Sequence, residues 1–128
     1  MVAAVVVYAG LAPLLPLHVA AGQAAPAWLA PHRETVAKLM GGYDKTRDFF
    51  RLFVAPGMGH CAGGPALDSF DALSAIVRWV EDGVAPDSLT ATGRACPGRS
   101  RPLCAYPLHA RYKGTGNPDD AASFECRP

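Results

Sequence analysis

The chain has no run of basic residues interleaved with aromatics. Its 12 lysines and arginines against 11 acidic residues leave a formal charge of +1. That balance excludes the electrostatic footprint of a nucleic-acid binder. None of its four cysteines forms a Cys-x-x-Cys pair, so the ligand spacing of a zinc site is missing. No internal repeat recurs, which excludes a solenoid. Charge is scarce at 18%, and residues 2–31 contain no Asp, Glu, Lys or Arg. That apolar stretch does not read as a membrane span, because Pro13 and Pro16 interrupt it. It also lacks the basic start of a signal peptide, although Val19-Ala20-Ala21-Gly22 has the small residues of a cleavage site. A buried strand from Ala3 to Tyr8, ended by Gly10 and Pro13, fits the pattern better.

What is present bounds the chain to one domain. Its 128 residues, half of them apolar, can bury a modest core. Arg94, Arg99, Arg101, Arg111 and Lys113 make the last third mildly basic, as a solvated surface would be. The cysteines are Cys61, Cys96, Cys104 and Cys126, which allow three pairings if all are oxidised. Cys104 and Cys126 lie in a proline-rich tail with little helical or strand pattern. A staple would stabilise such a tail and points to an oxidising compartment; the spacing alone does not exclude buried free thiols.

From Leu11 to Pro31 the sequence has no clean period. Glu34 to Met40 reads as a helix stopped by Gly41 and Gly42. An apolar strand follows at Phe49 to Val54. The clearest helix is predicted from Ser69 to Asp82, with Asp68 as N-cap and Asp71 in its first turn. Its apolar stripe is Phe70, Leu73, Val77 and Val80, with Ile76 beside them and Trp79 assigned to the core. Gly83 stops it, and Glu81 and Asp82 are expected to be solvated. A short strand is expected at Leu89 to Thr92, then an irregular tail. The order strand, helix, strand, turn, helix predicts an α/β layout, with too few strands to complete a doubly wound sheet.

The segment with most chemistry is Val54-Ala-Pro-Gly-Met-Gly-His-Cys61, followed by Ala62-Gly63-Gly64-Pro65. It places His60 in a glycine-rich turn after an apolar strand. Glycines permit sharp bends and close approach, and a histidine held there can offer a ring nitrogen to a nucleophile. His18, His32 and His109 have no partners at ligand or triad spacing. Asp44 and Asp48 read as surface charges in a loop and at a strand edge. Tyr106 and Tyr112 read as packing residues of the tail.

Four stretches, in order, resemble the C-terminal part of the tannase and feruloyl esterase family of α/β-hydrolase serine esterases. They are Asp48-Phe-Phe-Arg-Leu-Phe-Val-Ala-Pro-Gly-Met-Gly-His-Cys61, Trp79-Val-Glu-Asp-Gly-Val-Ala-Pro86, Arg101-Pro-Leu-Cys-Ala-Tyr-Pro107 and Phe124-Glu-Cys126. The resemblance implies an α/β fragment: few strands with flanking helices and an irregular disulfide-stapled tail. It covers residues 34–128 and leaves 1–33 as a degenerate or misread segment with one strand. It implies that His60 is the general base of a Ser-His-Asp triad. It implies that Cys61 is tethered to a cysteine beside the nucleophilic serine, outside these residues, and that Cys104 pairs with Cys126. Cys96 has no counterpart and is expected to be a free thiol.

The departures are as telling. The family's Cys-Ser-x-Gly-Gly elbow is absent, and so is Gly-x-Ser-x-Gly. Ser69, Ser74, Ser88, Ser100 and Ser123 lie in no such context. Where the triad acid would stand, Ala12-Pro13 or Ala25-Pro26 occurs instead, and without the acid His60 would lose the group that fixes its tautomer. The family's lid, which selects the ester, is also missing. The expectation is a carboxylic ester hydrolase acting on aromatic-acid esters, secreted or periplasmic, of which this chain is a fragment inactive alone. The alternative is a non-catalytic module of the same fold. No cofactor, metal, nucleic acid or membrane partner is expected.

Overall fold

A computed structural model of the chain describes residues 2–8, 19–22, 34–59 and 62–128. His60 and Cys61 lie outside the described residues, as do His18, His32, Ala12-Pro13 and Ala25-Pro26.

The organising element is strand β3, Phe50–Pro56. Alternate side chains leave opposite faces of a strand, and here both faces are buried. Phe53 and Ala55 enter the main core with Met58, Ala66, Trp79, Leu89, Ala91, Leu103 and Ala105. Phe50 and Leu52 face the other way, against Phe49, Val54 and Tyr106. A continuous apolar run is the sequence form of a strand covered on both sides, and the expected strand at Phe49 to Val54 is met and carried on to Pro56. β1, Val2–Tyr8, pairs antiparallel with β3 from Val2 opposite Pro56 to Tyr8 opposite Phe50. β2, Val19–Gly22, pairs with the other edge of β1, giving the order β2-β1-β3. β2 thus falls within the stretch where the sequence has no period, in small residues that carry little strand signal.

Helix α1, residues 34–39, stops at Gly41 and Gly42, whose φ values are 87° and 114°. The Gly42 N–H closes it on the Ala37 carbonyl at 2.7 Å. A short helix follows, α2 at Tyr43–Arg47, with Asp44 in its first turn and Asp48 as its C-cap. Both aspartates are exposed, as expected, but the loop and strand-edge assignments are corrected. Five residues are too short to show a period, and the buried Thr46 hydroxyl holds the turn by donating to the Gly42 carbonyl at 2.8 Å.

Helix α3 is Ala72–Asp82, later than the sequence predicts. Ser69 and Thr92 exchange backbone hydrogen bonds of 2.8 and 2.9 Å, so Ser69 is committed to extended pairing. The cap is therefore Asp71, which accepts from the Ser74 N–H at 2.9 Å, and not Asp68. The stripe is met in part: Phe70, Ile76 and Trp79 pack on the core as expected, with Ala72 and Ala75 beside them, while Leu73 is 73% and Val80 65% exposed and Val77 is exposed too. Both stripes have helical spacing; the small alanines allow the closer approach to the core. The stop at Gly83 (φ 71°) and the exposed Glu81 and Asp82 are as expected.

Ser74 hydrogen bonds hold the Asp71 carboxyl below its ordinary pKa. A depressed folded-state pKa contributes stability that is full above the unfolded pKa of about 3.9 and is lost as pH falls through the folded value. Asp71→Ala is expected to melt below wild type at pH 7, with the gap shrinking below about pH 4; thermal melts across that range check it.

The tail is not irregular. β4, Ser88–Thr92, pairs antiparallel with β5, Ser100–Cys104, and β6, His109–Tyr112, with β7, Phe124–Arg127. Pro102 within β5, opposite Thr90, masked the strand pattern, since proline cannot donate to a ladder. A disulfide joins Cys104 of β5 to Cys126 of β7. β5 meets β3 through an antiparallel bridge between Phe53 and Ala105 and a Tyr106 N–H bond to the Leu52 carbonyl at 2.7 Å. This places the β4–β5 loop at the Pro56 end of β3. Every described strand pairing is antiparallel within a mixed helix and strand arrangement.

Candidate active site

Immediately after β3 the backbone doubles back on itself. Gly57 has φ 77° and Gly64 has φ 86°, conformations that suit glycine. They also face each other closely. A Cβ on Gly64 would stand 2.3 Å from the Gly57 carbonyl oxygen, and one on Gly57 would stand 2.7 Å from that of Pro65. The Gly59 N–H donates to the Gly63 carbonyl at 2.8 Å. Met58 anchors its base by burying its side chain in the core. The described glycines thus make a close, internally bonded approach between residues 57–59 and 63–65.

The turn is braced from outside by a carboxylate. Asp68 Oδ2 accepts from the Gly63 N–H at 2.6 Å. The Ser69–Thr92 pairing fixes Asp68 in turn, and Gly93 lets β4 close in: a Cβ there would stand 2.4 Å from the Ala66 carbonyl oxygen. An open cleft of about 850 Å³ lies against this corner, lined by residues 62–64, 68–70 and 92–95, with Phe70 and Arg94 contributing the largest side chains. It borders the turn through Ala62.

Other residues singled out in the sequence lie elsewhere. Ser74 is in the first turn of α3, Ser69 in the bridge to β4, and Ser100 accepts from the Ala121 N–H through its hydroxyl at 2.9 Å. Ser123 is buried in the tail. His109 is exposed on β6. Tyr112 packs on Phe124, with ring centroids 5.5 Å apart, and Tyr106 packs on Phe50 and Leu52. Cys96 is a free thiol. Among the described residues, no group of three His, Cys, Asp or Glu could hold a metal ion, and no helix is long and apolar enough to cross a membrane.

Arg51 escaped the sequence reading. Its signal is a lone charge inside an apolar strand run. It is buried, donates to the Arg47 carbonyl, lies 5.1 Å over the Trp79 ring and reaches Asp87 at 3.9 Å. Burial, aided by Arg47, lowers its pKa, while Asp87 and Asp48 oppose that shift. It is the second residue of β3 and the histidine turn follows the seventh, roughly 17 Å away at about 3.3 Å per residue. Its work is to hold α2 and α3 on the strand.

Comparison with known proteins matches this geometry to a group. The chain is 51% identical over 84 residues to the mono(2-hydroxyethyl) terephthalate hydrolase of Piscinibacter sakaiensis, a match covering 61% of this chain and 14% of that protein. It is 43% identical over 101 residues to a probable feruloyl esterase of Arthroderma benhamiae, covering 74% of this chain and 19% of that one. A solved structure of feruloyl esterase B from Aspergillus oryzae superposes with a TM-score of 0.61 at 29% identity, over 80% of this chain and 24% of the other. The chain therefore spans between 14% and 24% of the lengths of these relatives. The family model for tannase and feruloyl esterase matches residues 18–127, which takes in the glycine turn, α3 and the stapled tail together. With that match spanning most of its length, the chain belongs to the tannase and feruloyl esterase family.

Proposed function

We propose that this chain carries the general base, His60, of a carboxylic ester hydrolase acting on aromatic-acid esters. The base removes the proton from a serine hydroxyl as its oxygen attacks the ester carbonyl. It then returns that proton to the leaving alcohol, and water repeats the sequence on the acyl-enzyme. The observation that carries the reading is the close approach of Gly57 to Gly64 at the end of a strand buried on both faces, in the stretch of sequence that contains His60. A base must be held rigidly to face its nucleophile, and a glycine turn on such a strand is a rigid mount. Cys61 would tether the turn to a cysteine beside that serine. The Cys104–Cys126 disulfide suits a secreted or periplasmic protein.

No serine of this chain stands in an elbow sequence, so the nucleophile and the acid would come from residues beyond these 128. Tannins, feruloylated sugars and terephthalate monoesters all fit the class. The alternative, a free-standing non-catalytic module, has to accommodate Leu73 and Val80 exposed on α3, an apolar face that a self-sufficient domain would cover.

Two measurements test the reading. The purified chain is expected to hydrolyse p-nitrophenyl and feruloyl esters no faster than its His60→Ala variant, since a base without its serine gives no acyl-enzyme. The coding sequence upstream of Met1 is expected to encode a Cys-Ser-x-Gly-Gly elbow; its absence in every frame would sink the proposal.

A further inference from the structure

We infer that the flank of α3 formed by Leu73, Val77 and Val80 seats a helix of the same polypeptide, contributed by residues that precede these 128. The inference rests on the proposed reading of the chain as one part of a longer esterase, and it names a surface where the two parts meet. An α-helix turns by about 100° per residue, so the side chains of α3 fall into three sets. Ala72, Ala75, Ile76 and Trp79 pack on the core that includes Phe53 and Ala55 of β3. Leu73, Val77 and Val80 lie roughly 120° around the helix from that set. Ser74, Arg78 and Asp82 lie roughly as far around the other way. Both flanks are exposed, the first with Leu73 at 73%, Val77 at 42% and Val80 at 65%. One flank is entirely aliphatic and the other entirely polar. A helix with water on both sides needs no such difference; a helix with a neighbour on one side does.

The occupant follows from the place and the size of the flank. Packing on β3 and contact with β1 set α3 in a layer on the β2-β1-β3 sheet. The element that lies beside a helix in such a layer is another helix, about 8–10 Å away, and residues spaced four and three apart form the ridges that interlock. Among the described residues nothing covers that place, since all three side chains stay exposed. A second copy of the chain is a poor occupant. Three aliphatic side chains are few against the roughly 20–30 residues a side of a standard interface, and association must first offset lost translational and rotational freedom. A segment of the same polypeptide is held nearby at high effective concentration, so a small apolar face is enough to seat it. The relatives have the length to supply one: the chain spans between 14% and 24% of them. Its motifs resemble the C-terminal part of the family, so the seated helix comes before Met1 and presents an aliphatic face to Leu73, Val77 and Val80.

The test compares the isolated chain with the polypeptide made by joining it to the residues encoded upstream of Met1, using methyl NMR with a soluble paramagnetic quencher. In the isolated chain the Leu73, Val77 and Val80 methyls are expected to be quenched as strongly as the exposed Thr90 methyl. In the joined polypeptide they are expected to be quenched several-fold less, while the buried Leu89 and Leu103 methyls stay shielded in both. A Leu73→Lys, Val80→Lys chain is expected to melt within about 4 °C of wild type, as surface changes do. The same pair in the joined polypeptide is expected to lower the melting temperature by at least twice that shift. Methyls already shielded in the isolated chain overturn the inference, whether sedimentation shows a monomer that covers its own flank or a dimer that pairs it. Equal quenching in the two forms overturns it as well, even where the upstream residues carry the serine elbow and the joined protein cleaves esters, so the esterase reading would survive alone. Shielding by upstream residues that carry no elbow would sink the esterase reading and leave the seat standing. An upstream sequence with no frame that joins Met1 overturns both.

Discussion

Gly64→Ala is expected to unfold the histidine turn and to destabilise the chain by about 3 kcal/mol or more. Two costs combine. Gly64 sits at φ 86°, where a side chain is strained by roughly 1–2 kcal/mol. Its added methyl would also lie 2.3 Å from the Gly57 carbonyl oxygen and 3.2 Å from the Gly59 nitrogen, both backbone atoms that cannot swing aside. Overpacking of this kind adds about 1–3 kcal/mol. The neighbouring residue supplies the control. Gly63 has nearly the same φ, 78°, yet nothing lies within 4 Å of its Cβ position. Gly63→Ala is therefore expected to show only the conformational cost, about 1 kcal/mol. Urea denaturation of the two variants separates the effects. Equal losses would mean that φ alone governs the turn and that the two glycine strands do not meet as closely as described.

That contrast marks how far the sequence was legible. Pro56-Gly-Met-Gly-His-Cys61 announces a turn after a strand, because a run of large apolar residues gives way to glycines. It does not announce which glycine is needed for its φ and which for the space it leaves, since that depends on where residues 57 and 64 meet. β3, the stop at Gly83 and the burial of Trp79 follow from local pattern. The elements that went astray depend on distant pairing. Ser69 looks like the start of a helix until Thr92 claims its backbone. Leu73, Val77 and Val80 continue the apolar stripe but are exposed, while the alanines Ala72 and Ala75 join Ile76 and Trp79 on the core. The tail looked irregular because Pro102 interrupts one strand and the other two are four residues long each. The glycine motif was legible, and the carboxylate against it was not: Asp68 resembles a cap in sequence, and only with α3 beginning at Ala72 does it accept from the Gly63 N–H instead.

Loss of the Cys104–Cys126 disulfide is expected to destabilise the chain by about 3 kcal/mol and to release β6 and β7 first. The bond closes a separation of 22 residues, for which the chain-entropy relation gives about 3 kcal/mol. The rest of the tail offers little to replace it. β6 is exposed along its whole length, and an isolated two-stranded pair is marginal in water. Its aromatic contacts include the Tyr112–Phe124 ring pair and the Arg101 guanidinium 4.1 Å over Phe124. The Arg99–Asp119 pair, at 2.8 Å, holds the loop before β7 and raises the pKa of Arg99, but it is solvent-exposed and so contributes little. Hydrogen bonds also join the tail, among them the Ser100 N–H to the Asp119 carbonyl, the Lys113 N–H to the Ser123 carbonyl, the Ala121 N–H to the Ser100 hydroxyl, the Tyr112 hydroxyl to the Gly116 carbonyl and Lys113 Nζ to the Ala122 carbonyl, the last two exposed to solvent. The core above is independent of these, since Leu103 and Ala105 pack with Phe53 and Trp79. A Cys104→Ala, Cys126→Ala chain is therefore expected to exchange its Lys113 and Cys126 amides rapidly while Phe53 and Leu103 remain protected. Uniform loss of protection across β3 and β5 would instead mean that the staple holds the whole domain, with the tail acting as a strut for the strand that carries the histidine turn.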